Sequence, residues 1–153
     1  SEIINKYILD ILNKKRRLLI FVPIIAMCQS LKNYLEKYIS ESIKIDYVYS
    51  EDKDRSEKIQ RFYNFKTDIL ITTTILERGV TFDYLDVMVF DAGHKNFTKE
   101  SLIQIAGRVG RKEYDNTGEI VYFSDEITKN IKHAIKEIEY MNNLASYRKL
   151  NKE

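Results

Sequence analysis

The feature that most constrains folding is the recurrence of short, wholly apolar runs: Leu18, Leu19, Ile20, Phe21 and Val22; then Val87, Met88, Val89 and Phe90; then Ile120, Val121, Tyr122 and Phe123. A strand with one wet face alternates apolar and polar side chains, so a run apolar at every position needs cover on both faces. Segments of helical period lie between the runs. After Pro23, which suits a strand end or a first helical turn, Ile24, Cys28, Leu31, Leu35 and Ile39 fall on one helical face. Residues 43–49 and 68–72 complete five predicted strands. Asp54, with Glu57 three residues later, predicts a capping box for a helix carrying Ile59 and Phe62, and Thr98 predicts the cap of a short helix through Ile105. Parallel strands require crossovers, so the pattern predicts an α/β fold, a mostly parallel sheet with helices on both faces. In such sheets functional residues are expected at the carboxyl ends of the strands.

At the chain ends, Ile4, Ile8, Ile11 and Leu12 predict a helix within residues 1–15, followed by a polar cluster at 13–17. Ile127, Ile131, Ile135, Ile138 and Met141 predict a C-terminal helix over 126–147, which covers the sheet or docks on a neighbour. The polar residues 148–153 read as a frayed tail. With 153 residues, 44% of them hydrophobic and 31% charged, the chain suits one domain with a real core. A net charge of +2 is too small to point to nucleic acid by itself. Cys28 is the single cysteine, which excludes an internal disulfide and a cysteine-based zinc site. His94 and His133 lack acidic or thiol neighbours, so no metal site is expected. No apolar run approaches the roughly 20 residues that span a bilayer. A cytoplasmic compartment is the expectation, with any membrane association made through partners.

The densest cluster of chemistry is Gln104, Ile105, Ala106, Gly107, Arg108, Val109, Gly110 and Arg111. Two arginines sit three residues apart, each preceded by glycine, just after the predicted short helix. Glycine lets backbone approach a ligand closely, and the planar guanidinium fork matches phosphate oxygens, so two forks can clamp one phosphate. A basic loop with glycine turns is the competing reading of the same spacing.

This segment resembles motif VI of superfamily-two helicases. Thr72, Thr73, Thr74, Ile75, Leu76, Glu77, Arg78, Gly79, Val80, Thr81 and Phe82 resemble their motif V, in the right order and with a strand between. Residues 18–22 resemble the opening strand of the second RecA-like motor domain, and residues 49–62 the loop and helix after it. The stretch from motif V to motif VI most resembles the ComFA late-competence DNA translocase family, with PriA-like replication-restart helicases as near relatives. The resemblance implies a RecA-like fold, ATP with Mg²⁺ as the nucleotide, and ATP-driven movement on single-stranded DNA during DNA uptake.

It also implies roles by position. Arg108 and Arg111 would be arginine fingers, and Gln104 would couple the nucleotide site to the DNA-facing surface. Gly79 would approach the nucleotide, and Thr81 stands where several relatives carry a ribose-contacting aspartate. Thr73, with Thr72 and Thr74, would hold a DNA phosphate, although a threonine run also suits a plain strand. Arg78 reads equally as a catalytic group or a structural ion pair. Ser50 and Arg55 suit either DNA contact or helix capping, and Phe97 is the aromatic best placed for base stacking.

No GxxxxGK[ST] loop occurs and the chain starts at Ser1. The expectation is therefore a fragment whose Mg²⁺ ligands and phosphate loop belong to a missing N-terminal RecA-like domain, and which is inactive alone. Other competence proteins are possible partners under the same resemblance. Two other readings share the motifs: half of a DEAD-box RNA helicase, whose motif VI usually opens with His-Arg, and a non-enzymatic RecA-like docking module.

Overall fold

The computed structural model describes residues 2–73, 82–108, 118–124, 128–141 and 146–151. The elements follow in the order α1 (Glu2–Asn13), β1 (Arg17–Phe21), α2 (Ile25–Tyr38), β2 (Ile45–Val48), α3 (Arg55–Tyr63), β3 (Ile69–Thr72), β4 (Leu85–Val89), α4 (Lys99–Ala106), β5 (Glu119–Ser124), α5 (Lys129–Met141) and β6 (Ser146–Asn151). The strands form one sheet in the order β2-β3-β1-β4-β5-β6, parallel at every pairing. β1 lies between β3 and β4, so the direction of winding changes there, as in other doubly wound sheets.

Both faces of the sheet are covered, as the apolar runs require. Leu18 and Ile20 face a core shared with Ile8 and Ile11 of α1 and Cys28 and Leu35 of α2. Leu19 and Phe21, one residue out of phase, face a second core with Phe62 of α3, Leu102 and Ile105 of α4 and Ile131 of α5. Burial also pushes the Cys28 thiol up to about 11, as befits a packed and unreactive sulfur.

Four details depart from the sequence pattern. Arg17 is no linker residue: it opens β1 and is 3% exposed. The turn into α3 is organised by Asp52 instead of Asp54, whose side chain makes no capping bond. Asp52 accepts the Asp54 N–H at 2.9 Å and pairs with Lys58 Nζ at 2.6 Å, while Glu57 reaches forward to Arg61 at 3.3 Å. The expected C-terminal helix 126–147 is shorter, because Thr128 accepts the Ile131 N–H at 3.2 Å and starts α5 at Lys129.

The expected frayed tail 148–153 is corrected for residues 146–151, which pair in register with β5 from Glu119↔Ser146 to Ser124↔Asn151. An edge strand bonds on one side only and needs no apolar run, so a polar sequence containing Lys149 suits it. Thr98 behaves as predicted, exchanging bonds with Ser101 in a capping box, with Ser101 N–H to Thr98 Oγ1 at 3.0 Å.

Candidate functional site

Of the residues singled out by the motifs, the described ones, Thr72, Thr73, Gln104 and Arg108, fall in two places on the sheet. At the carboxyl edge β3 ends at Thr72, paired beside Val48 of β2 and Phe21 of β1. Thr72 is 0% exposed, so its side chain belongs to the core; Thr73, the next residue, is half-buried at the strand end. The turn before α3 stands alongside, since β2 and β3 run parallel. It carries exposed Ser50, half-buried Arg55 and the Asp52–Lys58 pair. Burial works against the Asp52 charge. The Lys58 hydrogen bond, the Asp54 N–H and the charges of Lys58 and Arg55 outweigh it and hold the carboxyl below the ordinary aspartate range. Arg55 Nη1 is buried without a hydrogen-bond partner. On the far side of β1, Asn96 Nδ2 donates to the Pro23 carbonyl at 2.9 Å and ties two carboxyl-edge loops together.

Phe97, offered above as a stacking platform, is 4% exposed and lies in the core with Phe82 and Leu102. Its position before a capped helix resembled a surface loop, yet it packs beneath α4. His94 accepts the Asn96 N–H through Nδ1 at 3.0 Å, a local turn contact.

Gln104 and Arg108 lie elsewhere. α4 starts at the carboxyl edge, after β4, and the chain re-enters the sheet at the amino end of β5, so the connection carrying Arg108 is on the return to the amino edge. Arg108 therefore does not stand at a strand's carboxyl end, where functional residues were expected. The last turn of α4 continues through it: Gly107 N–H bonds Ile103 and Gln104 carbonyls, and Arg108 N–H bonds Ile105 at 3.0 Å. Gln104 is exposed; Arg108 is half-buried, and burial lowers its pKa. Thr74, Arg78, Gly79, Thr81 and Arg111 lie outside the described residues.

Two further arginines, Arg16 and Arg17, occupy the amino edge, outside both motifs. Arg16 faces the α1 side, with Nε bonded to Asp86 Oδ1 at 2.9 Å and Nη2 to the Leu85 carbonyl at 3.1 Å. Asp86 also accepts the Glu119 N–H at 3.1 Å, and Glu119 accepts the Tyr7 hydroxyl at 2.6 Å, so α1 is tied to β4 and β5. Burial raises the Asp86 carboxyl, and Arg16 opposes that rise. Arg17 faces the other side and reaches the carbonyls of Phe62, Tyr63 and Asp83. Burial lowers its pKa to about 10, against the attraction of Asp83 and Tyr63. The one available signal was the Arg-Arg pair abutting an apolar run, which reads equally well as a polar boundary.

Among the described residues no group of three or more His, Cys, Asp or Glu converges to hold a metal ion. No helix among them is long and apolar enough to cross a membrane. A parallel sheet wound in this order, with helices on both faces, has the RecA-like fold. The chain belongs to the helicase conserved C-terminal domain family, whose pattern matches residues 2–113.

Among curated proteins it is similar to the competence protein ComFA of Streptococcus pneumoniae, 48% identical over 125 residues, covering 82% of this chain and 29% of that protein. The ComFA of Bacillus subtilis is 49% identical over 100 residues, covering 65% and 21%. The UvrABC system protein B of Latilactobacillus sakei is 32% identical over 133 residues, covering 84% and 19%. The chain thus spans less than a third of the length of these relatives. In fold it is similar to domain 2 of the DEAD-box helicase Mss116p, with a TM-score of 0.67 at 20% identity, covering 99% of this chain and 58% of that one. The C-terminal domain of the DEAD-box protein Dbp5 gives 0.58 at 20%, covering 88% and 75%.

Proposed function

We propose that this chain is the second motor domain of an ATP-dependent single-stranded DNA translocase or helicase of the ComFA kind, acting in DNA uptake. The observation that carries this reading is the separation of Thr73 from Arg108 within one continuous sheet. Thr73 follows the last residue of β3 at the carboxyl edge, and Arg108 lies on the return of α4 to the amino edge. Two sites on one body can move together, as a motor that converts nucleotide closure into a shift along a strand requires.

In this reading ATP binds between a first RecA-like domain and the amino edge of this one. Arg108 and Arg111 stabilise the charge that develops on the departing γ-phosphoryl group, a contribution of about 10³ to 10⁵ in rate for arginine fingers. Gly79 and Thr81 approach the nucleotide, and Gln104, exposed on α4, passes its state to the DNA side. The accompanying Mg²⁺ takes its ligands from the first motor domain. Thr73 and Thr74 hold a DNA phosphate; Thr72, being fully buried, serves through its backbone and packing. The protein works in the cytoplasm, with other competence proteins as its partners.

The test is nucleic-acid stimulation of ATP turnover in the two-domain protein. Single-stranded DNA is expected to stimulate more strongly than RNA of the same length, and Thr73→Val to weaken DNA binding severalfold without loss of ATP binding. Stronger stimulation by RNA would move the protein to the RNA-helicase reading, and no stimulation by either would remove the motor reading.

A further inference from the structure

The end of α3 is built in an unusual way. Lys66 N–H bonds the Arg61 carbonyl at 2.9 Å and Phe65 N–H bonds the Phe62 carbonyl at 3.2 Å, the paired bonds of a Schellman stop. The residue in the left-handed position of such a stop is ordinarily glycine, but here it is Phe65, at φ 62. A ring-bearing side chain is uncommon in that region, and its persistence calls for a contact that holds it.

Arg17 supplies that contact. Its guanidinium carbon lies 3.7 Å from the centre of the Phe65 ring, and within cation–π reach of Phe62 at 5.2 Å and Phe82 at 5.6 Å. Its Nη1 donates to the carbonyls of Phe62 and Tyr63, the last two residues of α3, where the helix dipole favours a cation. Its Nη2 donates to the Asp83 carbonyl, in the short segment between motif V and β4. Phe82, one residue earlier, packs edge-on against Phe62 at 5.1 Å. One buried fork therefore joins two elements that have no covalent reason to move together.

The position of those elements gives the joint its meaning. α3 starts at the carboxyl edge, beside the end of β3, and finishes at the amino edge under Arg17. The segment Arg17 grips is two residues downstream of Thr81 in the chain. We propose that Arg17 is a positioning residue that couples the nucleic-acid edge to the nucleotide edge by locking the end of α3 to the Phe82–Asp83 segment. This deepens the proposed function and rests on it. Arg16 does not share the role, because its bonds to Asp86 and Leu85 lie on the opposite face of the sheet, toward α1.

The test is the ratio of DNA-stimulated to DNA-free ATP turnover in the two-domain protein, with thermal unfolding measured alongside. Arg17→Met is expected to lower the ratio at least fivefold. Arg17→Lys keeps the charge but loses the two-nitrogen fork that spans three carbonyls; it is expected to restore most of the thermal stability and less than a quarter of the lost ratio. A loss of folding alone scales both rates together and leaves the ratio unmoved. A ratio in Arg17→Lys within twofold of the parent's overturns the proposal, and this variant carries the test if Arg17→Met does not fold. If the parent itself is not stimulated by DNA, the motor reading fails; if it is stimulated and the Arg17→Lys ratio is unchanged, only the coupling role fails.

Discussion

Arg16 and Asp86 are each almost fully buried, and each is the other's charge partner. Removing Arg16 takes that charge away from the buried Asp86 carboxylate, whereas replacing both with apolar groups removes the problem along with the pair. Arg16→Met alone is expected to cost about 3–5 kcal/mol in urea unfolding. The double change Arg16→Met with Asp86→Leu recovers most of that loss, short of the bond Asp86 accepts from Glu119. A double mutant as unstable as the single would contradict this account.

Asp52 provides a second test at the same scale. Its folded pKa is depressed, so its contribution is present above the unfolded aspartate value and is lost as pH falls through the folded one. Asp52→Asn is therefore expected to flatten the acid limb of the stability profile and to leave the mutant less stable at neutral pH. An unchanged acid limb would show that the Lys58 pairing contributes nothing.

At the scale of elements, the central strands were legible because a run without polar residues has one explanation in a protein of this size. β1, β4 and β5 sit where that reasoning put them, and Thr98 caps α4 as its sequence spacing implied. The edges were less legible for a physical reason: a strand bonded on one side is under no pressure to be apolar. β6 is the case in point, and hydrogen exchange tests it. Amides of residues 146–151 that face β5 should exchange slowly in alternation, as a parallel ladder demands; uniform rapid exchange would return the segment to a frayed tail. Asp52 displaced Asp54 because the chain turns before the helix, and Phe97 was misread because loop residues just before a capped helix can point inward.

For the whole molecule, the sheet decides where the described motif residues stand. Sequence spacing put Gln104, Arg108 and Arg111 together; that Arg108 is carried away from the edge where β3 ends follows once α4 is read as a crossover between two parallel strands. That return follows from parallel topology alone, since β4 ends at one edge and β5 starts at the other. The central proposal is that this domain lends Arg108 to a nucleotide held mainly by another domain. It is tested most directly by steady-state ATP turnover of Arg108→Ala in the two-domain protein, at saturating single-stranded DNA and with ATP binding checked separately. The account predicts a fall of about 10³ or more with ATP still bound; turnover within tenfold of the parent would contradict it.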